Sequence, residues 1–163
     1  MKSCFYYRSE LGLIGIMEYD GKIAGVIVDE SFDDEIEVVE TSLIRDCYLQ
    51  IVEYLDGKRT AFELPLYLKG SELQLSVYHS LLNIAYGHTC SYKEVAQNYK
   101  KDYKGYQAVA QIISKNPIPI IVPCHRVIYS DQTLGGYAYG QDIKRYLLML
   151  EERVSKEGSL CTF

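Results

Sequence analysis

The sequence predicts an α+β protein, a small antiparallel sheet with one helix followed by a set of short helices. Three observations carry this. From Ser3 to Glu30 the sequence reads as short strands. Within that stretch Asp20-Gly21 is a two-residue hairpin signal. Beyond Lys69-Gly70-Ser71, which reads as a linker, apolar residues recur at helical spacing between capping residues and Gly or Pro stops.

Taken in order, the strands are Cys4 to Arg8, Leu11 to Tyr19 and Lys22 to Val28, an antiparallel meander. The acidic loop Ser31 to Glu37 is too polar to pack. Ser42 to Leu55 carries a helical apolar stripe and stops at Gly57. Phe62 to Pro65 alternates like a last edge strand, and a domain boundary falls near Tyr67, which gives a first domain of residues 1–67 and a second of 71–157. A helix capped by Ser71-Glu72 runs through Tyr86, with Leu75, Tyr78, Leu82 and Ala85 on one stripe, and ends at Gly87. Ser91 and Glu94 have the spacing of a capping box and open a second helix. A third spans about Gly105 to Lys115 before Asn116-Pro117, and a fourth about Gln141 to Lys156. Two of these helices flank Lys100-Lys101-Asp102-Tyr103-Lys104, an arrangement compatible with a helix-turn-helix or winged-helix module.

The chain of 163 residues has a net charge of −5, which argues against a generally basic nucleic-acid coat protein. The charge is uneven. Residues 1–86 carry 7 basic and 15 acidic side chains, residues 87–127 carry 6 and 2, and residues 128–163 carry 4 and 5. The middle stretch is a basic island between acidic flanks, suited to a local anion-facing surface. No apolar run approaches the roughly 20 residues that span a bilayer, and the start of the chain lacks the apolar segment of a signal peptide. A cytoplasmic protein without a membrane partner is expected.

The five cysteines, Cys4, Cys47, Cys90, Cys124 and Cys161, form no C-x-x-C pair. They support neither structural zinc nor a disulfide framework, so no metal site is expected. Cys124 stands apart from the rest. It lies in Asn116-Pro117-Ile118-Pro119-Ile120-Ile121-Val122-Pro123-Cys124-His125-Arg126-Val127-Ile128, where prolines stiffen the backbone and an apolar run implies partial burial. A buried lone thiol is ordinarily inert, but a following His and Arg change that expectation. Neighbours in an extended segment point to opposite faces, so His125 reaches the sulfur directly or through a water. Glu151 or Glu152 is placed to orient the imidazole. Arg126 is expected to pair within the turn.

The string Pro123-Cys124-His125-Arg126-Val127 resembles the O6-alkylguanine-DNA alkyltransferase family, with supporting matches at Gly87, Ser91-Tyr92, Asn116-Pro117, Gly136-Tyr137, Lys144 and Glu151. The resemblance covers roughly Ser71 to Glu152. It implies a ribonuclease H-like N-terminal domain of mainly structural role, and a winged-helix-like domain that binds double-stranded DNA containing O6-alkylguanine through the minor groove and flips the damaged base. It also implies a monomer that uses no cofactor. Cys124 resembles the nucleophile that keeps the alkyl group as a thioether, His125 the base, Glu151 the carboxylate that holds it, and Tyr92 the donor to guanine N3. Val122 and Cys124 carbonyls would accept from the guanine amine, the Ala138 amide would donate to O6 beside Tyr137, and Asn116 and Lys144 resemble supporting residues of the site. Taken alone, Lys144 reads as a solvated helix residue and Tyr92 as a surface one.

Gln107 departs from the family pattern, which places an Arg in the recognition helix to fill the gap left by the flipped base; Lys104 or Tyr106 are possible substitutes. Weaker DNA affinity or slower flipping than is usual for the family is therefore expected. A Gln107→Arg variant that leaves both unchanged in a titration and a repair assay overturns this. Two rival readings stay open, a Cys-His-Glu hydrolase that turns over and a non-catalytic lesion sensor.

Overall fold

The computed structural model describes residues 2–32 and 35–160, with side chains up to residue 157. It divides into two compact units, Met1–Leu68 with Pro117–Ile121, and Lys69–Asn116 with Val122–Phe163. Among the described residues no helix is long and apolar enough to cross a membrane.

In the first unit β1 (Lys2–Ser9), β2 (Gly12–Tyr19) and β3 (Lys22–Val28) form the expected antiparallel meander. Asp20 and Gly21 both have positive φ, 53° and 71°, as a type I′ turn requires. The sheet gains a fourth strand that the sequence does not announce. β4 (Glu37–Val38) pairs in parallel with Ser3 and Cys4, giving the order β3-β2-β1-β4. The acidic loop therefore ends in a strand, and Phe32 at its start donates its amide to the Tyr6 hydroxyl at 3.0 Å. Its middle, Asp33 and Asp34, lies outside the described residues.

Helix α1 (Ser42–Leu55) has the predicted bounds, with the Thr41 hydroxyl accepting from the Ile44 amide and Gly57 closing the end at φ 75°. Its buried residues Ile44, Cys47 and Ile51 meet Ile14, Ile16 and Val26 of the sheet in one core. Phe62 to Pro65 does not form the predicted strand. The Gln50 side chain takes both backbone groups of Glu63, accepting from its amide at 2.9 Å and donating to its carbonyl at 3.2 Å. With those groups satisfied, contact with the sheet shrinks to one bridge at Leu66, where Ile23 donates to Pro65 and accepts from Tyr67.

In the second unit α2 (Glu72–Leu82) opens with a full capping box of Ser71 and Gln74. It ends four residues short of the predicted Tyr86. Asn83 and Ile84 tighten into i→i−3 bonds to Ser80 and Leu81, and the buried face is Val77, Tyr78 and Leu81 while Leu82 is exposed. A two-residue strand β5 (Cys90–Ser91) leads into α3 (Tyr92–Tyr99), capped by Ser91 accepting from the Glu94 amide at 3.0 Å. Glu94 does not reach back to the Ser91 amide as a capping box would; its carboxylate accepts from the Ser91 hydroxyl instead. After a six-residue turn, α4 (Tyr106–Ser114) packs against α2 and α3, and α5 (Gln141–Leu160) follows the reactive segment. Tyr103 stands edge-on to Tyr99 in that turn and fills the space a Cβ at Gly105 would need.

Candidate active site

The segment expected to be extended is a chain of tight turns. Asn116 donates its amide side chain to the Val122 carbonyl at 2.8 Å, and Cys124 donates its backbone amide to the same oxygen at 2.7 Å. Residues Cys124–Arg126 then form one 3₁₀ turn. Ile120, just before it, holds a φ of 74°, a strained value for a β-branched residue. β6 (Val127–Ile128) pairs in parallel with β5, Cys90 opposite Val127 and Ser91 opposite Ile128. That ladder sets the reactive turn beside the N-terminus of α3.

A 3₁₀ turn spaces successive side chains about 120° apart, so His125 and Arg126 approach one partner from different directions. Of the two candidate carboxylates the structure selects Glu151. Its Oε2 meets His125 Nε2 at 2.6 Å, while Arg126 donates Nε to Oε1 at 2.9 Å and Nη2 to Oε2 at 3.1 Å. Glu152 pairs instead with Lys156 on the exposed face of α5. Arg126 thus does not pair within its own turn. Its remaining Nη1 donates to the Ile84 carbonyl at 2.7 Å, which satisfies the frayed end of α2. The Gly87 amide completes the cluster by donating to Glu151 Oε1 at 3.0 Å.

Burial alone would raise the Glu151 pKa, but His125 and Arg126 reverse this and bring it to about 2. Glu151 is therefore a carboxylate, and the proton on Nε2 of His125 leaves the basic lone pair on Nδ1. Burial lowers the His125 pKa, with Arg126 and Lys144 adding to the effect against Glu151, so the ring is neutral at pH 7. The Cys124 thiol is pushed up to about 11 by burial, although hydrogen bonds from Asn116 and from the amides of Cys124 and His125, and the charge of Lys144, all pull it down. The resting sulfur carries its proton and has stabilising donors ready for the anion.

Lys144 is fully buried rather than solvated. Its ammonium donates to the Val127 carbonyl at 2.6 Å and to Gly136 at 3.3 Å and stands 5.8 Å from the Tyr92 ring centre. Burial brings its pKa down to about 8, with Cys124 acting the other way. Tyr92 is buried, not a surface residue, and packs on Tyr129 with ring centres 4.9 Å apart. Burial, then Tyr129 and Cys124, raise its pKa to about 12, so it is a protonated donor at neutral pH.

Beside this cluster lies a cavity of about 410 Å³ lined by Tyr92, Tyr129, Tyr137, Ala138 and by Ala110, Gln111, Ile113 and Ser114 of α4. That is room for a planar base between aromatic walls. The structure brings together Tyr92, Asn116, Cys124, His125, Arg126, Lys144 and Glu151; Gln107 is exposed on the first turn of α4, one turn from the lining. The sequence reading missed Tyr129 as a wall and the Gly87 amide as a ligand of Glu151. Neither has a local signal, since both depend on the β5–β6 ladder and on α5 returning to the end of α2. Gly87 has φ 79°, and a Cβ there would collide with Ser155. Gly87→Ala is expected to cost about 1–2 kcal/mol, read from chemical denaturation.

The basic island is also corrected. Arg126 is buried in an ion pair, which leaves Lys93, Lys100, Lys101, Lys104 and Lys115 exposed against Glu94 and Asp102.

Residues 3–68 match the ribonuclease-like domain of 6-O-methylguanine DNA methyltransferase, and residues 72–153 match its DNA binding domain. The inducible methylated-DNA–protein-cysteine methyltransferase of Bacillus subtilis is 38% identical over 94% of this chain and 87% of its own. That of Methanosarcina barkeri is 47% identical over 66% of this chain and 68% of its own. A crystal structure of Mycobacterium tuberculosis OGT in complex with DNA superposes with a TM-score of 0.86 at 31% identity, covering 93% of this chain and 94% of that one. With both halves matched and the reactive cluster intact, the chain belongs to the 6-O-methylguanine DNA methyltransferase family.

Proposed function

We propose that this protein repairs DNA by moving the alkyl group of O6-alkylguanine onto the sulfur of Cys124, once per molecule. The observation that supports this most is the neutral His125 imidazole, its Nε2 fixed by Glu151 at 2.6 Å, next in the chain to the buried, protonated Cys124 thiol. His125 takes the thiol proton through a water. The sulfur attacks the alkyl carbon as its bond to O6 breaks, and the electron pair passes into the guanine ring. Tyr92 supplies a proton to guanine N3, so a neutral base leaves, and proton exchange with water restores Tyr92 and His125. The Cys124 carbonyl and the Ala138 amide hold the base, while Tyr137 and Tyr129 form walls. The Val122 carbonyl already accepts two donors, so it serves the guanine amine only if one of them lengthens.

In this reading residues 71–157 carry binding and chemistry and residues 1–67 serve structure. The protein acts as a cytoplasmic monomer without cofactor, and α4 enters the minor groove, where the exposed lysines face phosphate. The test is incubation with duplex oligonucleotide bearing O6-methylguanine. One methyl mass increment on the peptide holding Cys124, at one per protein and absent in Cys124→Ala, is expected. Catalytic turnover would favour the hydrolase reading, and binding without a mass change would favour the lesion sensor.

A further inference from the structure

We infer that Tyr106 is the side chain this protein inserts into the duplex beside the extruded base, an inference that rests on the base-flipping reading above. Taking a base out of the stack leaves a gap, and proteins that distort duplexes from the minor groove hold such gaps open with an apolar wedge. The wedge must be exposed, flat and free to leave the protein surface. Tyr106 meets these conditions at 39% exposure, and across α3 and α4 it is the one large apolar side chain left exposed.

Its position is suited to the task. Tyr106 is the first residue of α4, the helix whose later residues Ala110 and Gln111 line the cavity beside Cys124. A separation of four residues places Tyr106 about 6 Å further along the axis on the same face as Ala110. One helix would thus present the wedge and the wall of the receiving cavity. The start of α4 adds to the exposure. Gly105 caps it with no side-chain bond, and Tyr103, which otherwise competes for this end, is folded back against Gly105 and Tyr99. Among the described residues no ring stacks on Tyr106 and no side chain bonds to it.

Gln107 is exposed alongside, but its amide has no stacking surface and loses hydration on entering the stack. Its fitting partner is the polar edge of the orphaned base, while the Tyr106 ring covers the neighbouring base face.

The test compares methyl transfer to Cys124 from duplex O6-methylguanine and from the free base O6-methylguanine, which needs no extrusion. Tyr106→Ala should slow the duplex reaction by about 10- to 100-fold, the loss of one base stack, with the free-base rate unchanged. Tyr106→Phe should retain the duplex rate, since the ring and not the hydroxyl does the work. Duplex repair by Tyr106→Ala at the wild-type rate, an equal loss on both substrates, or a duplex-specific loss in Gln107→Ala alone would each overturn the assignment. A wild-type protein inert toward both substrates would overturn the alkyl-transfer reading, and this inference with it.

Discussion

Glu151→Ala is expected to lower the unfolding free energy by about 3–5 kcal/mol, because it leaves the Arg126 guanidinium buried without its anion. The same change removes the acceptor that fixes His125, so the rate of methyl transfer should fall by about a hundredfold or more. Denaturant unfolding and single-turnover mass measurements check the two effects separately. The wild type carries a matching acid sensitivity. The carboxylate has a pKa near 2 when folded against an ordinary 4.5, so its contribution is present above about pH 4.5 and is lost as pH falls toward 2. Burial of neutral His125 works in the same direction, since its depressed pKa costs stability as pH drops below the ordinary 6.5. In Glu151→Ala the loss between pH 4.5 and 2 should shrink by the carboxylate's share; an acid limb of undiminished size would contradict the assignment.

Lys144→Met is the second large effect, and it separates stability from reactivity. The ammonium is buried with a folded pKa of about 8 against 10.5, so the unfolded chain holds that proton more tightly. Lys144 alone therefore contributes stability that grows with pH between about 8 and 10.5, against the raised Cys124 and Tyr92 groups whose contributions fall as pH rises, and the variant should lose its part relative to the wild type. Removing the positive charge near the sulfur should also move the Cys124 titration upward by about one unit, a tenfold loss of thiolate at a given pH. The rate of Cys124 labelling by iodoacetamide against pH reads this shift. Superimposed profiles for variant and wild type would remove Lys144 from the activation of the thiol.

What the sequence disclosed divides along the range of the interactions. The hairpin at Asp20-Gly21 and the bounds of α1 were legible because turn chemistry and capping act over four residues or fewer. Two of the failures involve a distant partner. Phe62 to Pro65 alternates like a strand, yet Gln50, 13 residues earlier, satisfies the Glu63 backbone and removes the need for a ladder. α2 stops at Leu82 because Arg126, 42 residues on, captures the Ile84 carbonyl. The site follows the same rule. Cys124, His125 and Glu151 stand out by residue type and motif, whereas the burial of Lys144 and Tyr92 follows from packing around β6 that no local pattern encodes. The basic island was read correctly as a count, but one of its six charges is spent inside the protein on Glu151.

Under the proposed single transfer to Cys124, the elevated thiol pKa also bears on how the unused protein keeps. At pH 7 a thiol with a pKa near 11 is ionised in about one molecule in ten thousand. Peroxide, disulfides and stray electrophiles attack the thiolate, so a sulfur kept in this form ages slowly. In the proposed reaction, a reagent used once would thereby be stored in its unreactive state, with the neutral imidazole held by Glu151 to take its proton when a substrate carbon is in place. Shelf life and reactivity are set by the same burial.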